Sequence, residues 1–310
     1  MRYWTTFVLC LAVGFVAVGE DLPRVDPALT GVSADRLDRI EEVFQRHIDA
    51  GRVVGITTLV SRMGQIVHYE ALGDRDAESG DPMKPDTIFR IYSMTKPITS
   101  VAAMMLLEEG KFLLTDSVSN YLPELAGLEV LVPVVDVDTG EVTYSTEGAE
   151  REITVQDLFR HTSGFVYGTT RGSELVTRYF DAGVLLEARD LQETVEKLGE
   201  LPLLFQPGSR WNYGVNTDVL ARLVEVVSGQ RFDQFLADRV FEPLGMVDTH
   251  FELPESKQDR LAQLYTRASA TELAPDPNLT RSYMGKPGYY SGVPAFSAPQ
   301  RTIGGSVRCF

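Results

Sequence analysis

The order of hydrophobic periods along the chain limits the fold more than any other feature. Residues 36–50 place Leu37, Ile40, Val43, Phe44 and Ile48 at helical spacing, which predicts an amphipathic helix. Residues 53–60 and 65–72 are strand-like runs joined by Ser61-Arg62-Met63-Gly64, which predicts a β-hairpin. After them the middle of the chain is mainly helical in pattern. Residues 95–107 carry Ile98, Val101, Ala102 and Met105 on one face, with Gly110 just beyond as a stop. Residues 217–227 carry Val219, Leu220, Leu223, Val226 and Val227, with Gly229 as the stop, and 191–199 is also helical by pattern. A further hairpin is expected around Asp138-Thr139-Gly140, and a short helix opens at Thr154 with Asp157 three residues on. Strands first, helices after and no βαβ alternation predict an α+β fold, not a parallel α/β one.

The 310 residues include 44% hydrophobic ones, enough for a substantial core. Lys and Arg number 29 against 44 Asp and Glu, a formal charge of −15, and a surface this acidic repels phosphate backbones and anionic lipid. Nucleic acid is therefore excluded as an expected partner, as is membrane beyond export. Residues 1–19 join Arg2, an apolar run over 7–18, and the small residues Ala17 and Gly19, followed by Glu20 and Asp21. That is the pattern of a secretory signal cleaved after Gly19, and the run is short for a bilayer span of about 20 residues. The mature domain is then 20–310, periplasmic or secreted. Cys10 falls in the leader and Cys309 is next to last, so no mature intrachain disulfide is expected. Leu9 before Cys10 fits a lipid attachment site poorly.

Chemistry is suggested first by Ser93-Met94-Thr95-Lys96, where the extended run Thr87-Ile88-Phe89-Arg90-Ile91-Tyr92 meets the 95–107 helix. On a helix, i and i+3 share a face, so an uncharged Lys96 amine one turn on could take the Ser93 proton. The same spacing also describes an N-cap serine with a solvated lysine. A second cluster, Trp211-Asn212-Tyr213-Gly214-Val215-Asn216-Thr217-Asp218, precedes a helix; Tyr213 there is either an acid–base group beside Lys96 or an aromatic plug. The four histidines are widely separated without metal-ligand spacing; His47 reads as a boundary residue of the first helix. His161 in His161-Thr162-Ser163-Gly164 reads as a turn residue in preference to a partner of a serine. No Gly-x-Ser-x-Gly elbow, phosphate loop or dinucleotide fingerprint occurs, and no cofactor is implied. Asn278-Leu279-Thr280 is a glycosylation sequon.

Taken together these segments resemble the serine β-lactamase and penicillin-binding-protein superfamily, in particular the class C β-lactamase-like branch that includes the family VIII carboxylesterases. The resemblance is carried by Ile88-Phe89-Arg90-Ile91-Tyr92-Ser93-Met94-Thr95-Lys96-Pro97 and by Gly110-Lys111 with Tyr121-Leu122-Pro123. It continues through Asp157-Leu158-Phe159-Arg160-His161-Thr162-Ser163-Gly164, Trp211-Asn212-Tyr213 with Asp218-Val219-Leu220, and Glu242-Pro243-Leu244-Gly245-Met246 with Asp248-Thr249. It implies a helical lobe against an antiparallel sheet flanked by helices, with the site between them. It further implies that Ser93 attacks an ester or amide carbonyl, Lys96 assists, Tyr213 shuttles protons, and water resolves an acyl-enzyme. The oxyanion would be held by the Ser93 backbone N–H and a second N–H from a late strand.

Two departures qualify the activity that the resemblance implies. Position 215 is Val where class C β-lactamases have Asn in Tyr-x-Asn, and Asn216 comes one residue late; Tyr213 to Asp218 has the esterase-like spacing, although Gly214 replaces its usual serine. Small esters are thus expected before β-lactams, with a D-Ala-D-Ala-type peptidase or β-lactamase as the alternative. The chain also ends at Phe310 before any Lys-Thr-Gly, His-x-Gly or Trp-x-Gly strand. A truncation or frame change near residue 293 is the expectation, leaving the late sheet strands and second oxyanion donor missing, with an incompetent fragment or binding module as the third reading.

Overall fold

The computed structural model describes residues 22–167, 173–184, 188–269 and 272–276, and the backbone of 296–297. The leader at 1–19, both cysteines and the sequon at 278–280 lie outside the described residues.

Helix α1 (Ala34–Asp49) buries Leu37 and packs against the first hairpin, β1 (Gly55–Arg62) with β2 (Gln65–Asp76). The hairpin is tighter than the sequence suggests: Arg62 pairs with Gln65, so only Met63 and Gly64 form the loop. Both have positive φ, 52° and 69°, the twist that a two-residue turn shares with its strands. At the other end Gly55 faces Gly73, and a Cβ on Gly55 would lie 2.3 Å from the Asp74 carbonyl oxygen, so the strands close only with glycine there. The short β3 (Asp81–Pro82) pairs with the end of β2.

β4 (Phe89–Arg90) and the 3₁₀ turn Tyr92–Met94 lead directly into α2 (Thr95–Glu108). The fully buried residues of α2 are Thr95, Thr99, Ala102, Ala103 and Leu106; of the expected stripe Ala102 is among them, while Ile98 and Met105 pack half-buried against the core at its edge. Packing decides this: the small Ala102 and Ala103 let another helix come close. Thr99 tolerates burial because its hydroxyl donates to the Thr95 carbonyl at 3.2 Å. The middle hairpin is β5 (Glu129–Val135) with β6 (Val142–Gly148), turning at Asp136–Glu141.

Helix α3 (Val155–Arg160) starts on a capping box: Thr154 accepts from the Asp157 N–H, and the Asp157 carboxylate accepts from the Thr154 N–H. Then come α4 (Glu174–Asp181), α5 (Leu191–Gly199), α6 (Asn216–Ser228) and α7 (Phe232–Leu236), which runs into a π turn at Ala237–Phe241. α6 is the central helix, in contact with α2, α3, α5 and α7. Its inward residues include Val219, Leu220, Leu223 and Val224, whereas Val226 is 40% exposed, which corrects the expected stripe. Gly229 at φ 72° ends it as expected. α4 and α7 were not expected from the sequence; they are only eight and five residues long. β7 (Tyr265–Arg267) pairs with β8 (Leu273–Pro275), and β9 (Phe296–Ser297) with β4. Helical lobe plus antiparallel sheet is the expected α+β architecture. Among the described residues no helix is long and apolar enough to cross a membrane.

Candidate active site

The approach to Ser93 is held before α2 begins. Asp248 is buried and receives two bonds from the Arg260 guanidinium, at 3.0 and 2.8 Å, with the Lys257 ammonium 2.9 Å away. Burial would raise its pKa, but these cations prevail and hold the carboxyl down at about 2. Arg260 also donates to the Asp86 carbonyl, and the Ile88 N–H donates to the Arg260 carbonyl at 2.8 Å. Five residues upstream of the serine, the backbone is thus clamped to a buried ion pair. At Tyr92 the chain takes φ 43°, a left-handed conformation costing about 1–2 kcal/mol for a residue with a Cβ. Such strain persists only where the surroundings enforce it, and here it turns Ser93 outward onto the start of α2.

Ser93, Lys96 and Tyr213 come together. The Ser93 Oγ and Tyr213 phenol oxygens are 2.7 Å apart, and Lys96 Nζ donates to Ser93 Oγ at 3.5 Å. Lys96 Nζ also stands 4.9 Å from the centre of the Tyr213 ring. Serine and lysine meet because they are one helical turn apart; the tyrosine arrives from 120 residues downstream. Two groups lie within reach of a proton leaving Ser93, the Tyr213 oxygen the nearer, and each accepts it only in its deprotonated form.

The loop carrying Tyr213 is tied to the turn after α3. Asn212 N–H donates to the His161 carbonyl, Asn212 Nδ2 to the Phe165 carbonyl, and Val215 N–H to the Val166 carbonyl. A Cβ on Gly214 would lie 2.3 Å from the Phe165 carbonyl oxygen, so this path excludes the serine expected from the resemblance. Val215 is buried, and Asn216 is turned into the core with no exposure at all. Neither position offers a side-chain amide toward Ser93.

His161 caps α3 in the left-handed region, φ 55°. Its ring lies against Tyr213, centroids 5.1 Å apart and planes inclined by 21°, while Tyr167 meets Tyr213 edge-on at 5.8 Å. Burial, helped by the nearby Lys96 charge, pushes its pKa down to about 4. The sequence signalled this residue only as a turn histidine, because the stacking partner is 52 positions away. The turn itself hangs from Asp157, which Arg151 grips through both oxygens at 2.7 and 3.0 Å and to which the Thr162 hydroxyl donates at 2.7 Å. Burial opposes ionisation of Asp157, but these bonds outweigh it and its pKa is lowered.

Beside Ser93 the surface is apolar. Met94 is 67% and Trp211 66% exposed, Tyr92 is exposed as well, and the Trp211 ring is 6.4 Å from both Tyr213 and His161. His47 and His68 stand away from this site, the latter bonded to Thr58 across the first hairpin.

Residues 40–298 match the family model described as Beta-lactamase. Protein Rv1367c of Mycobacterium tuberculosis is 35% identical over 229 residues, 74% of this chain and 55% of that protein. Esterase EstB of Burkholderia gladioli is 33% identical over 237 residues, 76% of this chain and 56% of its own length. The solved structure of EstCE1, described as a hydrolase with promiscuous acyltransferase activity, superposes with a TM-score of 0.73 at 27% identity, covering 87% of this chain and 72% of that one. The chain spans about half the length of the curated relatives it matches.

Proposed function

The chain belongs to the β-lactamase family, and from that premise we propose that it is a serine hydrolase cleaving small esters through an acyl-enzyme on Ser93. The observation that carries the proposal is the meeting of Ser93 Oγ with the Tyr213 phenol at 2.7 Å and with Lys96 Nζ at 3.5 Å. Ser93 Oγ attacks the ester carbonyl as its proton passes to Tyr213, which acts as a phenolate and becomes the phenol, with the Lys96 ammonium alongside both oxygens. The Ser93 N–H, at the positive end of the α2 dipole, supports the oxyanion. The C–O bond then breaks, the alcohol leaves with the proton held by Tyr213, and water repeats the sequence to release the acid and restore Ser93.

Esters are favoured over β-lactams by the site itself, since Val215 and Asn216 supply no amide beside the phenol. The relative named as an esterase supports the same choice. The apolar rim of Tyr92, Met94 and Trp211 suits an uncharged acyl or alcohol group, which a strongly acidic protein also prefers to an anionic one. The leader pattern at 1–19 supports export to the periplasm or medium.

The test is turnover of a short-chain p-nitrophenyl ester against a chromogenic cephalosporin, together with fluorophosphonate labelling. Ester turnover and labelling are expected, both lost in Ser93→Ala. Preferred cephalosporin turnover would move the reading to a β-lactamase, and labelling that survives Ser93→Ala would remove the nucleophile. Absence of labelling in a cooperatively unfolding chain would favour a binding module. A second reading, transfer of the acyl group to an alcohol instead of water, is supported by the exposed apolar rim and by the activity named for EstCE1. Ester product formed when a simple alcohol is added to the assay would support it.

A further inference from the structure

His161 takes no part in the proton transfers just described, yet two hydrogen-bond donors and the rings of Tyr213 and Trp211 converge on its imidazole. Its Nδ1 faces the Gly214 N–H at 3.3 Å and the Asn216 side-chain nitrogen at 3.0 Å. The orientation of the Asn216 amide follows from its other end. The Phe165 N–H donates to Ser163 Oγ at 3.1 Å, which leaves the Ser163 hydroxyl proton to be donated to Asn216 Oδ1. Asn216 therefore presents its NH₂ to the histidine. Two donors pointing at Nδ1 require a lone pair there, so the ring is neutral with its proton on Nε2. Every member of this relay except the histidine is fully buried, and an unmatched polar group in that position would be costly.

We propose that His161 is the positioning residue for Tyr213: a neutral imidazole, held by the Phe165–Ser163–Asn216 relay and the Gly214 N–H, against whose face the phenol ring is set so that its oxygen meets Ser93. The ring contact at 5.1 Å and 21° is an offset stack, and the Gly214 bond fastens the residue next to Tyr213 to the same nitrogen. The left-handed cap at His161 is part of the device. It swings the ring off the end of α3 toward the Tyr213 loop, where a right-handed continuation would carry it onward along the helix. A charged imidazole would replace the lone pair by a third donor and add a second cation near Lys96; the lowered pKa of His161 keeps that form away at neutral pH. The inference rests on the reading of Ser93, Lys96 and Tyr213 as the reacting groups.

Two measurements on the full chain test it. In ¹⁵N-histidine NMR the His161 signals are expected to show the Nε2–H tautomer with an unprotonated, hydrogen-bonded Nδ1, and an Nδ1–H tautomer would overturn the proposal whatever the activity. The second is a double-mutant cycle on p-nitrophenyl acetate turnover. His161→Asn keeps an acceptor and tolerates the left-handed cap but deletes the ring. It is expected to lower kcat by about 10²-fold, the cost of roughly 1 Å of misplacement, with KM little changed. In a Tyr213→Phe background, where there is no phenol to place, the same change is expected to cost under about 2-fold. Equal losses in both backgrounds would make His161 merely structural and overturn the proposal. Turnover undiminished in Ser93→Ala would instead overturn the reading of the site on which the inference rests.

Discussion

The helical lobe and the hairpin sheet bury their apolar residues in different ways. In the lobe, Val219, Leu223, Phe232, Phe235 and Leu236 are fully buried and belong to one continuous cluster that also takes in Leu106, Phe165 and Leu198. In the sheet, β1 has no fully buried residue, and the hairpin's own cluster is Leu22, Ile66 and Tyr69 with Leu59 packed against it. Ser93, Lys96, Tyr213 and His161 all stand on lobe segments. The geometry of the site is therefore supported by the better-packed half, and the sheet bears on it through the backbone leading into Ser93.

The sharpest way to break this contrast is with truncations. Phe235→Ala should cost about 3–5 kcal/mol and Leu59→Ala only about 1–2, read from urea midpoints; equal losses would erase the distinction. Next comes the pairing of charges. Arg260→Gln removes one of the cations facing buried Asp248 and should cost about 2–4 kcal/mol, lowering ester turnover as the Ile88 backbone loosens. The counterpart in the sheet, Arg75→Gln beside the half-exposed Asp81, should cost under about 1 kcal/mol.

Acid should then weaken the lobe before the sheet. His161 has its pKa lowered from 6.5 to about 4, so its contribution is whole above pH 6.5. It is lost as pH falls toward 4, because across that window the unfolded chain takes up a proton that the folded one refuses. His250, lowered by burial and then by Lys257, acts in the same direction, and Asp248 adds its loss between about 3.8 and 2. A melting temperature that falls from pH 7 to 4.5, with a flatter slope in His161→Asn, is expected; a flat profile in the unsubstituted chain would contradict it. The smallest effect is reserved for Val226→Lys, within about 0.5 kcal/mol because this valine points out of α6, whereas Val224→Lys should prevent folding.

Much of the architecture was legible from spacing. α1, α5 and α6 follow their periodic stretches, the Thr154 and Asp157 pair marks the start of α3, and Gly229 ends α6. The faces were less legible. On α2 the apolar stripe pointed to Ile98 and Met105, but the two alanines admitted a neighbouring helix and drew Thr95 and Thr99 inward. On α6 the whole first turn, Asn216 to Asp218, is buried although it is polar. Asn216 was visible only as a displaced member of the tyrosine motif; its work in orienting His161 emerges from a hydrogen-bond order that no spacing encodes.

By itself the sequence determined what is local: where helices start and stop, which neighbouring strands pair as a hairpin, and that a lysine stands one helical turn after Ser93. Backbone sterics and capping act over a few residues, so they can be read from neighbours alone. Only the tertiary structure decided that Tyr213 reaches Ser93, that His161 lies behind it, and that Asp248 and Arg260 hold the approach. Those contacts join segments up to 174 positions apart, and they form because the burial of a shared core, not any local preference, brings their helices together.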